Sequence, residues 1–509
     1  MLDERYVEYL KDESRLSGTA DGIVFAQSEG DILRALENAR KGGGPLTVQG
    51  SRTGITGAAV PRGGTILNLS RMNRITGLER DDKGYLLCLE PGVLLSQVTE
   101  ALRGMRFDTG GWDEASKALL PELSGAGELF FPPDPTEGSA CIGGMFAANA
   151  RGIAQLAYGD TAGWVAAVGV LLPGGGKWPL ARGQYTFTDE GCPLPEGGFL
   201  PVPPVEHPAA FAPGKGDDLL DIFAGSEGML GVVSALKLRL IPRPAQQWGV
   251  LFFFQEEEAA VDFGRGAVEM DLPAQVCAVE FFDRTSLAMV ENFKKQSTRL
   301  EQIPPMDESM QAAVYVELAA DEEEAAEEAL FALLDNFCAA GGDENDTWAA
   351  SGYDEMEKFR ILRHAVPESI NTRIDEAKRE HPGVTKLAAD MAVPPGRLEE
   401  MRALYKEGLT ACGISGAVFG HMAGGHLHVN LMPQDQAQYD AGRALILSWA
   451  QAAAGMGGRV AAENGVGKLK RELFALYTPR ETLWALARIK AHFDPGGMLN
   501  PGNMLEEKN

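Results

Sequence analysis

The sequence predicts a mixed chain, α/β or α+β, divided into two or three domains. Three observations carry this. A length of 509 residues exceeds what one ordinary core organises. In the first half, short β-type runs alternate with helical segments amid frequent glycine and proline. Around Ile241-Pro242-Arg243-Pro244 the texture changes, and beyond it strands and helices alternate in longer units.

Gly22-Ile23-Val24-Phe25, Leu46-Thr47-Val48, Thr65-Ile66-Leu67-Asn68-Leu69 and Leu86-Leu87-Cys88-Leu89 read as strands, with helices over 29–40 and 94–102 between them. After Trp248, apolar runs at 250–254, 279–282 and 313–318 alternate with helices over 257–270, 285–295 and 321–339. That pattern fits an antiparallel sheet covered by helices on one side. The acidic run at 321–324 opens the last of these helices, where negative charge is favourable, and needs no further role. From about Arg459 the tail reads as helical and ends in Phe493-Asp494-Pro495-Gly496-Gly497-Met498-Leu499-Asn500-Pro501-Gly502. Boundaries are expected to divide the chain into 1–245, 246–455 and 456–509.

Charge narrows the function. With 72 acidic against 46 basic residues, the net charge is −26, which repels phosphate backbones and anionic lipid. Nucleic acid is therefore not an expected partner. The start, Met1-Leu2-Asp3-Glu4-Arg5-Tyr6, has no basic segment followed by an apolar one, so no secretory signal is expected. No run of about 18 apolar residues offers a membrane span. Six scattered cysteines without a C-x-x-C pair predict reduced thiols in a cytoplasmic protein, and neither a disulfide frame nor an iron–sulfur cluster.

The densest chemistry lies in Val418-Phe419-Gly420-His421-Met422-Ala423-Gly424-Gly425-His426-Leu427-His428-Val429-Asn430, which holds three of the seven histidines. On a strand, His426 and His428 project to one face, because side chains repeat every second residue. The small residues between Met422 and Gly425 can turn the chain and bring His421 beside them. Three imidazoles at a hairpin could hold a divalent metal such as zinc, or could be satisfied core histidines with no ion.

Three loops are rich in glycine. Gly50-Ser51-Arg52-Thr53-Gly54-Ile55-Thr56-Gly57 follows a predicted strand and could curl its amides around a pyrophosphate, although it could equally be a structural turn. Phe131-Pro132-Pro133-Asp134-Pro135-Thr136 is a stiff wall, followed by Ala140-Cys141-Ile142-Gly143-Gly144 and Asn149. The third loop is Gly225-Ser226-Glu227-Gly228-Met229-Leu230-Gly231.

Taken in order, these segments resemble flavoenzymes of the vanillyl-alcohol oxidase type, also called PCMH-type FAD-binding oxidoreductases. Within them the chain is most similar to the branch of D-lactate, glycolate and D-2-hydroxyglutarate dehydrogenases. Further stretches carry the likeness: Leu69-Ser70-Arg71-Met72-Asn73-Arg74-Ile75, Glu90-Pro91-Gly92, Leu238-Arg239-Leu240-Ile241-Pro242, and 463–470. The resemblance implies an α+β fold: a two-part FAD-binding domain completed by the C-terminal segment, and a substrate-capping domain with an antiparallel sheet flanked by helices. It implies flavin contacts from Gly50, Ser51, Arg52, Thr53, Gly54 and Gly57, from Pro133, Asp134, Thr136, Gly143, Gly144 and Asn149, and from Gly228, Val232 and Asn500. The first loop carries Arg52 and Thr53 where tethering relatives place a histidine, so the FAD is expected to be non-covalent.

For the substrate, the resemblance implies a D-2-hydroxy acid, D-lactate first, with Arg363 as carboxylate anchor and Lys386 as a second candidate. It implies a divalent metal, zinc or else manganese or iron, on His421, His428 and Glu463, with Asn430 orienting substrate or ligands. Two positions depart from the family. Asn464 stands where relatives carry the histidine base, and an amide cannot accept that proton. His426 stands where many relatives carry asparagine, and is expected to act as the base or as an extra ligand. With no nicotinamide motif, the expected acceptor is an iron–sulfur protein, a flavoprotein or a quinone, through which a cytoplasmic enzyme could reach a membrane. A homodimer is compatible with the sequence. The alternatives are a flavin-holding subunit of a larger glycolate or lactate oxidase complex, and an alkyl-dihydroxyacetone-phosphate synthase-like enzyme.

Overall fold

The computed structural model describes residues 2–42, 44–135, 137–295 and 303–506. The chain divides into two compact units: Met1–Gly152 with Asp160–Arg243 and Glu463–Asn509, and Ile153–Gly159 with Pro244–Ala462.

In the first unit, β1 (Gly22–Phe25), β2 (Leu46–Gln49) and β3 (Thr65–Asn68) form a parallel sheet in the order β1-β3-β2. Between β1 and β2 runs α1 (Glu29–Gly42), which buries Ile32, Ala35 and Leu36. These fall at i, i+3 and i+4, one face of a helix, and pack with Leu46, Leu67 and Leu69. Glu29 and Asp31 in its first turn and Arg40 and Lys41 in its last match the helix dipole. A second sheet is antiparallel: β4 (Ile75–Asp81), β5 (Gly84–Leu89), β6 (Val165–Leu171), β7 (Lys177–Ala181) and β8 (Val232–Arg239) lie in the order β4-β5-β8-β6-β7. The C-terminal segment completes this unit. Leu499 bridges to Leu46, and Phe493, at the end of the helix Arg480–Phe493, packs its ring 5.5 Å from Trp178 and 5.4 Å from Phe223.

The second unit is built on a seven-stranded antiparallel sheet. Its strands are β9 (Gln246–Phe254), β10 (Gln275–Asp283), β11 (Ala312–Ala320), β12 (Thr347–Ser351), β13 (Leu387–Ala392), β14 (Gly416–His421) and β15 (His426–Leu431), in the order β12-β9-β11-β10-β14-β15-β13. Helices that pack on it include α2 (Glu257–Glu269), α3 (Arg284–Lys294), α4 (Glu323–Ala339) and α5 (Tyr353–Glu380).

The helices cover both faces of this sheet, not one. Phe252 and Phe254 point to the side where Phe263 of α2 and Phe337 of α4 meet them, at ring distances of 4.7 to 5.4 Å. Leu251 and Phe253, one residue out of phase, join Tyr315 and Ala313 against Leu287 and Val290 of α3 and Met356, Phe359 and Leu362 of α5. The physical cause is legible in β11, Ala312–Ala320, buried at all nine positions. A strand buried at every position has no face for water. No helix among the described residues is long and apolar enough to cross a membrane.

Phe337 is fully buried among three other rings. Phe337→Ala is expected to destabilise the second unit by about 3–5 kcal/mol, read from urea unfolding, whereas a loss below about 1 kcal/mol would mean the ring is not part of the core.

Candidate functional site

Backbone geometry brings the histidines of the second unit together. His421 ends β14, a short turn over Met422–Gly424 follows, and His426 opens β15. Gly425 makes this turn with φ +63°, and a Cβ there would lie 1.9 Å from the Val393 carbonyl oxygen, so only glycine fits. Gly420 clears room for His428, whose Cδ2 would otherwise sit 2.6 Å from a Cβ. Ring centroids lie 4.5 Å apart for His426 and His428, 5.5 Å for His421 and His428, and 5.9 Å for His421 and His426.

Register decides what these rings face. Glu280 pairs across to His421, Phe419 to His428, and His428 to Asp390, which puts all of them on one sheet face. Asn430, two positions beyond His428, shares it. The same face receives Arg363 from α5. Arg363 Nε donates to Glu280 Oε2 at 2.6 Å, and its Nη2 lies 3.4 Å from His421 Nε2. Glu280 Oε1 in turn contacts His421 Nδ1. On the other side, His428 Nδ1 sits 2.7 Å from Asp390 Oδ1.

The tautomer follows from chemistry. A guanidinium can only donate, so the His421 Nε2 that faces Arg363 is the lone-pair nitrogen, and Nδ1–H points at Glu280. Burial opposes a charge on Glu280, which is 1% exposed, yet Arg363 and His421 together hold its carboxyl down at about 2. A carboxylate behind an imidazole Nδ1 is the arrangement that turns Nε2 outward as a metal ligand. Beside it lies a further set of possible ion donors: Asp390, His426 and His428 offer one ligand atom each, all within 4.8 Å of one another. Lys386 directly precedes β13 and donates to Asn371 Oδ1 of α5 at 3.1 Å.

Glu280 and Asp390 were not singled out by sequence reasoning. The signal was present: each is an acid inside an apolar run, Ala278-Val279-Glu280-Phe281-Phe282 and Ala388-Ala389-Asp390-Met391-Ala392. A charge in such a run is rarely buried unless paired. Glu463 lies in the first unit, next along the chain after Ala462, whose amide donates to the Asp390 carbonyl at 2.9 Å.

The first unit holds a separate cavity. Gly50, Ser51, Arg52, Thr53 and Gly54 line it, with Cys141, Gly143, Gly144, Gly228, Val233, Asn464 and Asn500. Among the described residues, the backbone amides of 51–56 donate no hydrogen bond to the protein. Gln49 Oε1 and Arg52 Nε, also from lining residues, are buried without a hydrogen-bond partner among the described residues. A run of uncommitted amides beside a guanidinium suits an extended diphosphate. Side chains are excluded by close packing, since a Cβ on Gly50 would lie 2.2 Å from Cys141 Sγ and one on Gly143 2.5 Å from Pro91 Cβ.

Not every expected contact reaches this cavity. Val232 is fully buried with Leu46 and Leu67, and its neighbour Val233 faces the cavity instead, as strand alternation requires. Asn149 caps the helix Ile142–Ala148 with φ +46°, its side chain spent on Asp160 Oδ2 and the Ala162 amide. Pro133, Asp134 and Gly57 also lie off the lining, where Pro135 and Glu137 stand. Thr136 falls outside the described residues.

Two side chains tie the cavity to the C-terminal segment. Asn500 accepts from the Val48 amide at 2.7 Å and donates to the Glu227 carbonyl at 2.6 Å. The Glu227 carboxylate accepts from the amides of Val466 at 2.6 Å and Gly467 at 2.9 Å. Burial pushes this carboxyl up, against the pull of those two amides.

Comparison with known proteins matches the family model "FAD linked oxidases, C-terminal domain" over residues 243–504, and "FAD binding domain" over residues 20–116. The glycolate oxidase subunit GlcD of Bacillus subtilis (strain 168) is 25% identical over 489 residues, covering 95% of this chain and 88% of that one. A D-lactate dehydrogenase of Anaerostipes hadrus is 24% identical, covering 99% and 93%. The solved structure of 4-ethylphenol oxidase from Gulosibacter chungangensis superposes with a TM-score of 0.65 at 18% identity, covering 99% and 93%, which shows a shared fold. All six cysteines are free thiols.

Asn500→Ala removes both hydrogen bonds at the cavity wall. FAD affinity, titrated by quenching of flavin fluorescence, is expected to fall about tenfold, the equivalent of one buried polar group left unpaired.

Proposed function

This chain belongs to the FAD-linked oxidases, and on that premise we propose that it oxidises a D-2-hydroxy acid, D-lactate first among them, to the 2-oxo acid. The observation that carries the reading is Arg363, a guanidinium fixed beside three clustered imidazoles on one buried sheet face. The names of the glycolate and D-lactate relatives support the same substrate class.

Such an oxidation needs a carboxylate anchor, an acceptor for the hydroxyl proton and an acceptor for the hydride at C2. FAD, when bound, supplies the hydride acceptor. Arg363 offers the planar fork that suits a carboxylate. His426 accepts the hydroxyl proton, a role within reach of an imidazole near neutral pH and closed to the amide of Asn464. His421 and His428, with Glu463 as third donor, would hold a divalent ion, for which zinc suits the ligands best and manganese or iron can substitute. Its chemistry there would be to polarise the hydroxyl and lower its pKa. Lys386 and Asn430 orient the acid, and Asn464 orients what it borders. With no nicotinamide motif in the chain, an iron–sulfur protein, a flavoprotein or a quinone would take the electrons, and the setting is the cytoplasm. The competing reading, a flavin-holding subunit without chemistry of its own, draws support from Asn464 and from the name of the GlcD relative, an oxidase subunit.

Anaerobic mixing of the yellow protein with D- and L-hydroxy acids decides between them. A D-acid is expected to bleach the flavin and its L-enantiomer to leave it oxidised; no bleaching by any acid would reject the dehydrogenase reading. Dialysis against a chelator is expected to slow bleaching about tenfold or more, with recovery on adding zinc. His426→Ala is expected to retain FAD and lose about 10²–10⁴-fold in the rate of flavin reduction. Near-normal reduction would remove His426 from the role of base.

A further inference from the structure

We propose that Glu280 is a positioning residue that serves substrate and metal at once, by holding Arg363 with one carboxylate oxygen and His421 with the other. The inference rests on the dehydrogenase reading given above and extends it to a residue that neither touches substrate nor ligates the ion.

The geometry is specific. Glu280 lies on β10 directly across from His421 on β14, so the backbone register alone brings carboxylate and imidazole together. Its Oε2 takes the Arg363 Nε, and its Oε1 meets His421 Nδ1. Side-chain exposure is 1% for Glu280, 5% for His421 and 13% for Arg363, so water does not substitute for these contacts.

The arrangement solves an electrostatic problem. A divalent ion on the His421 Nε2 lone pair would take the place of the Arg363 Nη2, now 3.4 Å from that nitrogen, and would still sit close to the guanidinium. Two cations so close repel, more strongly out of water than in it. Glu280 places one negative charge behind both. It fixes the His421 tautomer, so that the outward nitrogen is a donor to the ion, and it fixes the direction of the Arg363 fork. A 2-hydroxy acid carries the complementary charge on the other side: its carboxylate faces Arg363 while its hydroxyl faces the ion. Glu280 thus couples the two halves of recognition. Arg363 by itself would govern only the first.

The test compares two variants of the full-length flavoprotein. Zinc affinity is measured by competition with a chromophoric chelator, and KM and kcat for D-lactate with a dye acceptor at saturating zinc. Glu280→Gln is expected to lose about 10–100-fold in zinc affinity and to raise KM about tenfold, with kcat within about threefold of wild type. Arg363→Lys is expected to raise KM by a similar factor while zinc affinity stays within about twofold. Wild-type zinc affinity in Glu280→Gln, or lost zinc affinity with an unchanged KM, would overturn the proposal. Should Glu280→Gln fail to fold, Glu280→Asp replaces it: intermediate losses in both quantities support the coupling, and a wild-type value in either one refutes it. If no hydroxy acid reduces the wild-type flavin, the dehydrogenase reading fails by itself. Oxalate binding, followed through the flavin spectrum, then takes the place of KM and judges Glu280 separately.

Discussion

The antiparallel register of four neighbouring strands is the constraint on which the candidate site depends. Glu280 opposite His421, and Phe419 and Asp390 opposite His428, are consequences of ladder hydrogen bonds rather than of any attraction among the side chains. A slip of one residue would send each group to the opposite face of its sheet. That alternative is closed, because both faces are packed. The rings of α2 and α4 fill one side, and the apolar side chains of α3 and α5 fill the other. Packing energy far from the histidines therefore sets the positions of the histidines.

The two units solve different recognition problems with different materials. The first works with backbone: glycines that let walls approach, and amides of 51–56 uncommitted among the described residues. Such a surface suits a large, extended anion whose charge is spread over many atoms. The second works with side chains, a guanidinium and imidazoles backed by buried acids, which suit a small acid and a single ion. Charge is handled to match. Burial raises the Glu227 carboxyl beside two amides, whereas at Glu280 a guanidinium and an imidazole outweigh burial and keep the carboxyl ionised.

Much of this was legible in the sequence, and the exceptions have physical causes. Period-two alternation in His426-Leu427-His428 and the small residues before it placed three imidazoles at a hairpin, and the hairpin forms. Strands such as Gly22–Phe25 were marked by apolar runs that end at turn residues. Helices on the second face of the large sheet went unforeseen, although the largely apolar run of β11 contained the information. Contacts at the cavity were harder. Val232 and Val233 are chemically alike, and only strand phase tells which of them meets the core. Glu280 and Asp390 are visible as acids in apolar strands, but naming their partners requires long-range register, which no local pattern encodes.

The first unit is discontinuous along the chain: residues from Glu463 onward return to pack with residues before Arg243. Asn500 reaches back to Val48, and Val466 and Gly467 close on Glu227. During synthesis on the ribosome, therefore, the earlier strands emerge long before the segment that seals them, and the intervening unit is translated in between. Cofactor loading must wait until residue 500 has left the exit tunnel. A nascent chain arrested anywhere in the second unit would be a colourless protein with an unfinished nucleotide cradle.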